Sequence, residues 1–257
     1  MIYGKLPIVL LSTLASQADG TKECNIAHYI LSHPAEAADL SIVELAERCH
    51  VSVSSLSRFC REIGLNDYAE LRELMQGTDS RFSRVSDAPE AKMRAGELFA
   101  AMRGSLDRIE ASVDMDQIAA LCRKIDAYER VAIFGLLKAG MAAQSLQADL
   151  LLQGKMTACK LLFAQQLEYL ERADERDLIL IFSYSGIYFD YLNHCIPQGL
   201  RRAHVVFITG AERMPELPCV NQMIAFDSAL DQVSHPFQMQ AIAALIAQEY
   251  AWQRRAR

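Results

Sequence analysis

The sequence predicts an all-α helix-turn-helix unit followed by an α/β domain, with a parallel sheet held between two helical layers. Three observations carry that expectation. Residues 1–76 break into short, capped helical stretches with no alternating strand pattern. Residues 77–90 lose periodicity and gain Ser, Asp, Gly and Pro, the composition of a connecting segment. Beyond Arg130, apolar runs of strand length alternate with helical ones, as in a parallel sheet wound with helices. The expected organisation is thus 1–76, a linker over 77–90, and an α/β domain over 91–257.

Each element has a local cause. From Lys5 to Ala18, the residues Leu6, Val9, Leu10, Thr13 and Leu14 fall on one helical face. Thr21 precedes a second helix with Ile26, Ala27, Ile30 and Leu31 on one side, and Pro34 follows it. Ser41 and Glu44 form a capping box, in which the hydroxyl takes an orphan amide and the carboxylate reaches back. Ser52 opens a helix that runs to Gly64, a natural left-handed stop. Asp67 to Glu70 opens another short one. Ala91 to about Ala111 and Asp116 to Ile125 read as helices. The strand-length runs are Arg130–Gly135, Met156–Leu161, Asp177–Phe182, His204–Thr209 and Gln222–Phe226. Helices are expected over Ala139–Leu152, Tyr188–Leu200 and Ser234–Arg254.

Composition narrows the class. The chain has 257 residues, 51% apolar and 23% charged, which excludes disordered, collagenous and disulfide-stapled types. Its 26 basic against 32 acidic residues leave a net charge of −6, so no chain-wide basic signature marks nucleic acid. Seven cysteines, an odd number without C-x-x-C spacing, fit reduced thiols and predict no zinc site; the adjacent His194–Cys195 pair is read as incidental. No run reaches 18 apolar residues, so no membrane span is expected. The N-terminal run is broken by Pro7, Ser12 and Thr13 and reads as a helix rather than a signal peptide. A cytoplasmic protein without a cofactor or metal is the expectation.

The most informative stretch is Ser41–Gly64. Two helices flank a tight turn at Cys49-His50-Val51, with small Ala46 at the crossing and Ile42, Leu45, Val51, Leu56 and Phe59 as shared core. From Arg48 to Arg61 there are three arginines and no acid. A helix that begins with Ser52, Val53, Ser54 and Ser55 and carries Ser57, Arg58 and Arg61 offers hydroxyls and amides to phosphates. Its arginines are left for base edges or backbone. These seven residues are the expected DNA contacts, with Arg58 foremost. The competing readings are an αα-hairpin that only packs and an Arg58 paired with Glu62 four residues on. Cys49 and Cys60 are read as core thiols.

The stretch ADLSIVELAERCHVSVSSLSRFCREIGLNDYAELRELM resembles the N-terminal domain of RpiR/MurR-type bacterial transcriptional regulators, and the second half is similar to their sugar isomerase (SIS) domain. One departure is His50, where many such turns use Gly; a left-handed conformation there costs on the order of 1 kcal/mol. The resemblance implies a phosphosugar-type effector held by two loops at strand ends, where small residues admit backbone amides and hydroxyls bond the phosphate. Phe182–Tyr188 resembles the S-x-S-G-x-T loop: Ser183, Ser185 and Gly186 match, Tyr188 stands for Thr, and Asp190 follows. In the other loop, aligned with G-x-G-x-S, Gly135 matches but Leu137 replaces Gly and Ala139 replaces Ser, with Lys138 as a compensating charge. The expected effector residues are Gly135, Lys138, Ser183, Ser185, Gly186, Tyr188 and Asp190. With half the cradle altered, ordinary hexose 6-phosphates are expected to bind weakly or not at all.

SIS domains also occur in isomerases, and Asp190, His194 and His235 are the general-base candidates. The attached helix-turn-helix and the altered loops favour a regulator without catalytic residues. The resemblance implies self-association as dimer or tetramer, with Ala139–Leu152 and Gln238–Tyr250 as possible contact helices, binding a double-stranded operator. A third reading keeps DNA binding but makes the SIS half an assembly module with no ligand.

Overall fold

The computed structural model describes residues 5–76, 86–192, 196–211 and 219–255. Six helices form the N-terminal part: α1 Lys5–Ser16, α2 Lys22–Ser32, α3 Pro34–Asp39, α4 Ile42–Arg48, α5 Val53–Glu62 and α6 Tyr68–Gln76. Their starts follow from hydroxyl caps. Thr21 accepts from the Cys24 amide, the Ser41/Glu44 capping box closes both ways, and Ser52 accepts from the Ser55 amide. Pro34 does more than end α2. It opens α3 at a first-turn position, where a missing N–H removes no hydrogen bond. Ile26, Ala27, Leu45, Leu56, Phe59 and Leu71 are buried together between these helices.

The C-terminal part begins with α7 Ala91–Ser112 and α8 Met115–Ala127. Then follow β1 Arg130–Gly135, α9 Lys138–Leu152, β2 Ala158–Cys159, α10 Phe163–Arg172, β3 Asp177–Phe182, β4 His204–Thr209, β5 Gln222–Ala225 and α11 Ser234–Arg255. The five strands are all parallel, in the order β2-β1-β3-β4-β5. Side chains alternate across the sheet. Val131, Ile133, Leu178, Leu180, Val206 and Ile208 pack with α8, α9 and α11, while Ala132, Phe134, Ile179, Ile181, Val205 and Phe207 pack on the α10 side. Burial on both faces explains the near-continuous apolar strands. On the α10 side the apolar cluster continues into the N-terminal helices, and Ser12 of α1 donates to the Leu161 carbonyl at 2.8 Å.

Three expectations are corrected. Met156–Leu161 yields only the two-residue β2, because both ends of that run are exposed at the sheet edge. Helix α10 has no counterpart among the expected elements; its Phe163, Gln166 and Leu170 are buried. In place of one helix over Tyr188–Leu200 there are two 3₁₀ segments, Ile187–Leu192 and Gln198–Arg201. Pro197, which lacks an N–H, precedes the second, and a Cβ on Gly199 would lie 2.2 Å from the Leu170 carbonyl oxygen. Most of the expected linker, 77–85, lies outside the described residues, as do His194 and Cys195.

The order 2-1-3-4-5 reverses direction between β1 and β3. Ligands of open parallel sheets bind outside the carboxyl ends of strands at such a switch point. The loops after β1 and β3 are the two expected to carry the effector.

Candidate DNA-contact helix and effector cavity

Helix α5 buries Ser55, Leu56, Phe59 and Cys60 and leaves Val53, Ser54, Arg58 and Arg61 exposed, with Ser57 half-buried. The turn before it holds His50 at φ 55°, so the turn keeps its left-handed residue without glycine. Among the described residues Arg58 forms no ion pair with Glu62. Arg61 donates from Nε to the Ser57 carbonyl at 3.4 Å. Arg48 pairs with Glu36 at 3.4 Å, which leaves Arg58 and Arg61 as the exposed cationic edge of α5.

Two expected contacts change character. Ser55 faces the core, with its hydroxyl 2.9 Å from that of Ser52, and so serves the start of the helix rather than its outer face. The Ser52 hydroxyl accepts the Ser55 amide and also meets Ser54 at 2.9 Å. Burial pushes the Cys49 thiol up to about 11 and the Cys60 thiol up to about 12, the behaviour of packed rather than reactive cysteines.

A cavity lies at the carboxyl ends of β1 and β3, with about 410 Å³ of unfilled space including its mouth. Ser183, Ser185 and Tyr188 line it, as expected of the second loop. The other four expected effector residues lie outside its lining. Gly135 is pinned by the helix it precedes, since a Cβ there would sit 2.8 Å from the Ala139 backbone. Lys138 directs its Nζ to the Gln232 carbonyl at 3.3 Å. Gly186, at φ 79°, forms the turn beside Ala211, and Asp190 is exposed. Tyr188 contributes a buried ring, its hydroxyl donating to Gln166 at 2.7 Å, while its amide donates to Ser183 Oγ at 3.0 Å.

Leu137 sits at φ 49° and ψ −117°, a region that glycine favours. The loop thus keeps a glycine-type backbone path while bearing a leucine side chain. The close fit at Gly135 gives a direct prediction. Gly135→Ala lowers stability by roughly 1–3 kcal/mol, read as a fall in denaturation midpoint, because backbone rather than a flexible side chain must move. An unchanged midpoint would contradict the crossing described.

Sequence reasoning missed several wall residues. Ile8 of α1 lines the cavity together with Leu136, Tyr184, Ile187 and His235. Gln166 supports the loops from below, donating to the carbonyls of Gly135 at 2.8 Å and Lys160 at 2.7 Å. Only His235 carries a sequence signal, a histidine before proline at a helix start, and that signal points to a base rather than a wall. Its ring stacks on Tyr184 with centroids 4.3 Å apart. Burial, reinforced by the Lys138 charge, pulls the His235 imidazole down to about 4, so it is neutral at physiological pH. Among the described residues there is no cluster of metal-ligand type, and no helix is long and apolar enough to cross a membrane.

A family model described as the helix-turn-helix domain of the rpiR family matches residues 10–81. The HTH-type transcriptional regulator HexR of Pseudomonas aeruginosa is 29% identical over 199 residues, covering 69% of this chain and 65% of that protein. The chain therefore spans just under two thirds of that relative's length. GlvR of Bacillus subtilis, also an HTH-type transcriptional regulator, is 32% identical over 114 residues, covering 43% of this chain and 40% of its own. The Vibrio vulnificus NanR protein, solved in complex with ManNAc-6P, aligns with a TM-score of 0.52 at 15% identity, over 96% of this chain and 92% of that one. The E. coli CFT073 protein c3406, solved in complex with a sugar phosphate, aligns with a TM-score of 0.53 at 14% identity, over 65% of this chain and 94% of that one. The sugar isomerase domain of an RpiR transcription factor from Sphaerobacter thermophilus aligns with a TM-score of 0.50 at 15% identity, over 63% of this chain and 89% of that one. The C-terminal half thus has the sugar isomerase fold.

Proposed function

From the premise that residues 10–81 are a helix-turn-helix domain of the rpiR family joined to a domain of sugar isomerase fold, we propose that the protein is a metabolite-responsive transcriptional regulator. The observation that carries this reading is the exposed, acid-free face of α5, presented by a capped helix after a left-handed turn. Val53, Ser54, Ser57, Arg58 and Arg61 contact the operator there, with the α5 N-terminus and Ser52 against the backbone. The domains fall at 1–76 and 91–257, with 77–90 connecting them. The protein works in the cytoplasm without a cofactor.

Two or four copies associate through the C-terminal half, placing paired α5 helices in successive major grooves, with half-sites roughly 34 Å or a multiple apart. Exposed Met93, Phe99 and Leu106 on α7 and Met141, Leu151 and Leu152 on α9 supply apolar surface for that association. The cavity binds a small metabolite, a sugar phosphate or a related compound, by analogy with the compounds bound to NanR and c3406. Occupancy changes DNA affinity by a coupling free energy. His235 is stacked and neutral, and Asp190 stands outside the cavity lining, so neither supports isomerisation.

Fluorescence anisotropy with DNA from the protein's own upstream region, run beside an isomerase assay on sugar phosphates, tests the reading. Expected are saturable binding that weakens steeply with salt and no isomerase turnover. Turnover without DNA binding would replace this reading with the enzymatic one. A thermal-shift screen of sugar phosphates and related metabolites then identifies the effector, since a compound that prefers the folded chain raises its midpoint.

A further inference from the structure

The cavity has a chemical character of its own. Its lining is Ile8, Leu136, Ala139, Phe182 and Ile187 with three polar groups, the hydroxyls of Ser183 and Ser185 and the imidazole of His235, beside two tyrosines. It includes no lysine or arginine. The nearest cation in sequence, Lys138, reaches instead to the Gln232 carbonyl. Ala139 stands where a hydroxyl would bond a phosphate, and its amide already donates to Leu136 at 3.1 Å. The Ser183 oxygen is accepting the Tyr188 amide. A phosphate dianion entering here would lose hydration and meet no opposite charge.

His235 is the second observation. It is 8% exposed, and neither ring nitrogen has a hydrogen-bond partner. Buried polar atoms without partners are uncommon and call for an explanation. A neutral imidazole offers one donor and one acceptor, the complement of a hydroxyl group, which both gives and takes a hydrogen bond. Stacking on Tyr184 fixes the ring plane, while Tyr184 itself is anchored to Gln238 at 3.2 Å. The space available, about 410 Å³, is in the range of small-molecule sites.

We propose that this cavity binds an uncharged polyhydroxy compound, a free sugar or polyol, hydrogen-bonded by His235 and Ser185 beneath Ile8 of α1. The inference rests on reading the cavity as the effector site and narrows its ligand class. It also gives the ligand a direct route to the DNA-binding part. Ile8 belongs to the first helix of that part, so any ligand that fills the cavity presses on α1 itself.

The test is calorimetric titration of the full chain with free aldohexoses, ketohexoses and hexitols, each paired with its 6-phosphate. At least one free compound is expected to bind about tenfold or more tightly than its phosphate ester. His235→Phe, which keeps the stacked ring and removes both nitrogens, is expected to weaken that binding about tenfold. Circular dichroism checks its fold, and Ser185→Ala supplies the same readout should His235→Phe not fold. Tighter binding of the phosphate ester, undiminished binding to both variants, or no binding of any free compound would overturn the proposal. An ester-only response leaves the cavity as effector site and removes only this inference. Operator anisotropy on the same preparation reports separately on the regulator reading.

Discussion

Replacing Arg58 with alanine lowers operator affinity by about 1–3 kcal/mol for each motif engaged, and by roughly twice that for a paired site. The side chain projects from the exposed face of α5, and its companion Arg48 is drawn away to Glu36. Arg58 and Arg61 therefore supply the positive charge of that face. Anisotropy against the upstream DNA, over a salt series, measures the loss. If Arg58 reads a base, sequence preference relaxes as well; if it holds a phosphate, all sequences weaken together and the salt slope flattens. The fold should be unaffected, since the side chain is solvent-facing. Unchanged affinity for DNA would remove α5 as the recognition element.

Asp177→Asn lowers the stability of the C-terminal domain by about 3 kcal/mol. Asp177 is buried at the start of β3 and accepts from Arg130 Nε at 2.9 Å, Arg130 Nη2 at 2.6 Å, the Tyr169 hydroxyl at 2.8 Å and the Asp174 amide at 2.8 Å. Burial by itself would raise its pKa. Arg130, the Asp174 amide and Tyr169 outweigh that and hold the carboxyl below its usual range. Asp174, held by Arg176 and Arg130, lies well below that range too. With folded values below unfolded ones, this stabilisation is full above the ordinary carboxylate range. It is lost as pH falls through the depressed values. Chemical denaturation between neutral and strongly acid pH should show a steeper decline for the wild type than for Asp177→Asn. Equal slopes would mean that the network carries no pH-linked stability. The site lies at the amino ends of the strands, opposite the effector cavity, so DNA binding in the cold should survive the substitution.

Most of the fold was legible because its determinants are local. Ser41 with Glu44, and Ser52 with Ser55, exchange hydrogen bonds within three residues, so the helix starts are written in adjacent letters. Strands β1, β3 and β4 are nearly continuous apolar runs because both faces of the sheet are covered. What failed was decided elsewhere in the chain. Helix α10 buries a glutamine, Gln166, whose amide serves the carbonyls of two loops and breaks the apolar pattern that would have announced it. The helix expected across Tyr188–Leu200 gives way where Gly199 lies against the α10 backbone, a contact with no sequence signature.

The sequence by itself determined the two-part organisation, the order of helices and strands, and the α5 helix with its arginine face. Periodicity and capping act over a few residues, and one chain displays them fully. The tertiary structure alone decided what the cavity is made of. Strand order places the loops after β1 and β3 side by side, and the docking of α1 brings Ile8 to His235 from the other end of the chain. It also drew Gly135 and Lys138 out of the expected cradle, the one by a helix pressing on its Cα, the other by a distant carbonyl. Contacts between residues so far apart depend on how the layers pack, which no local pattern encodes.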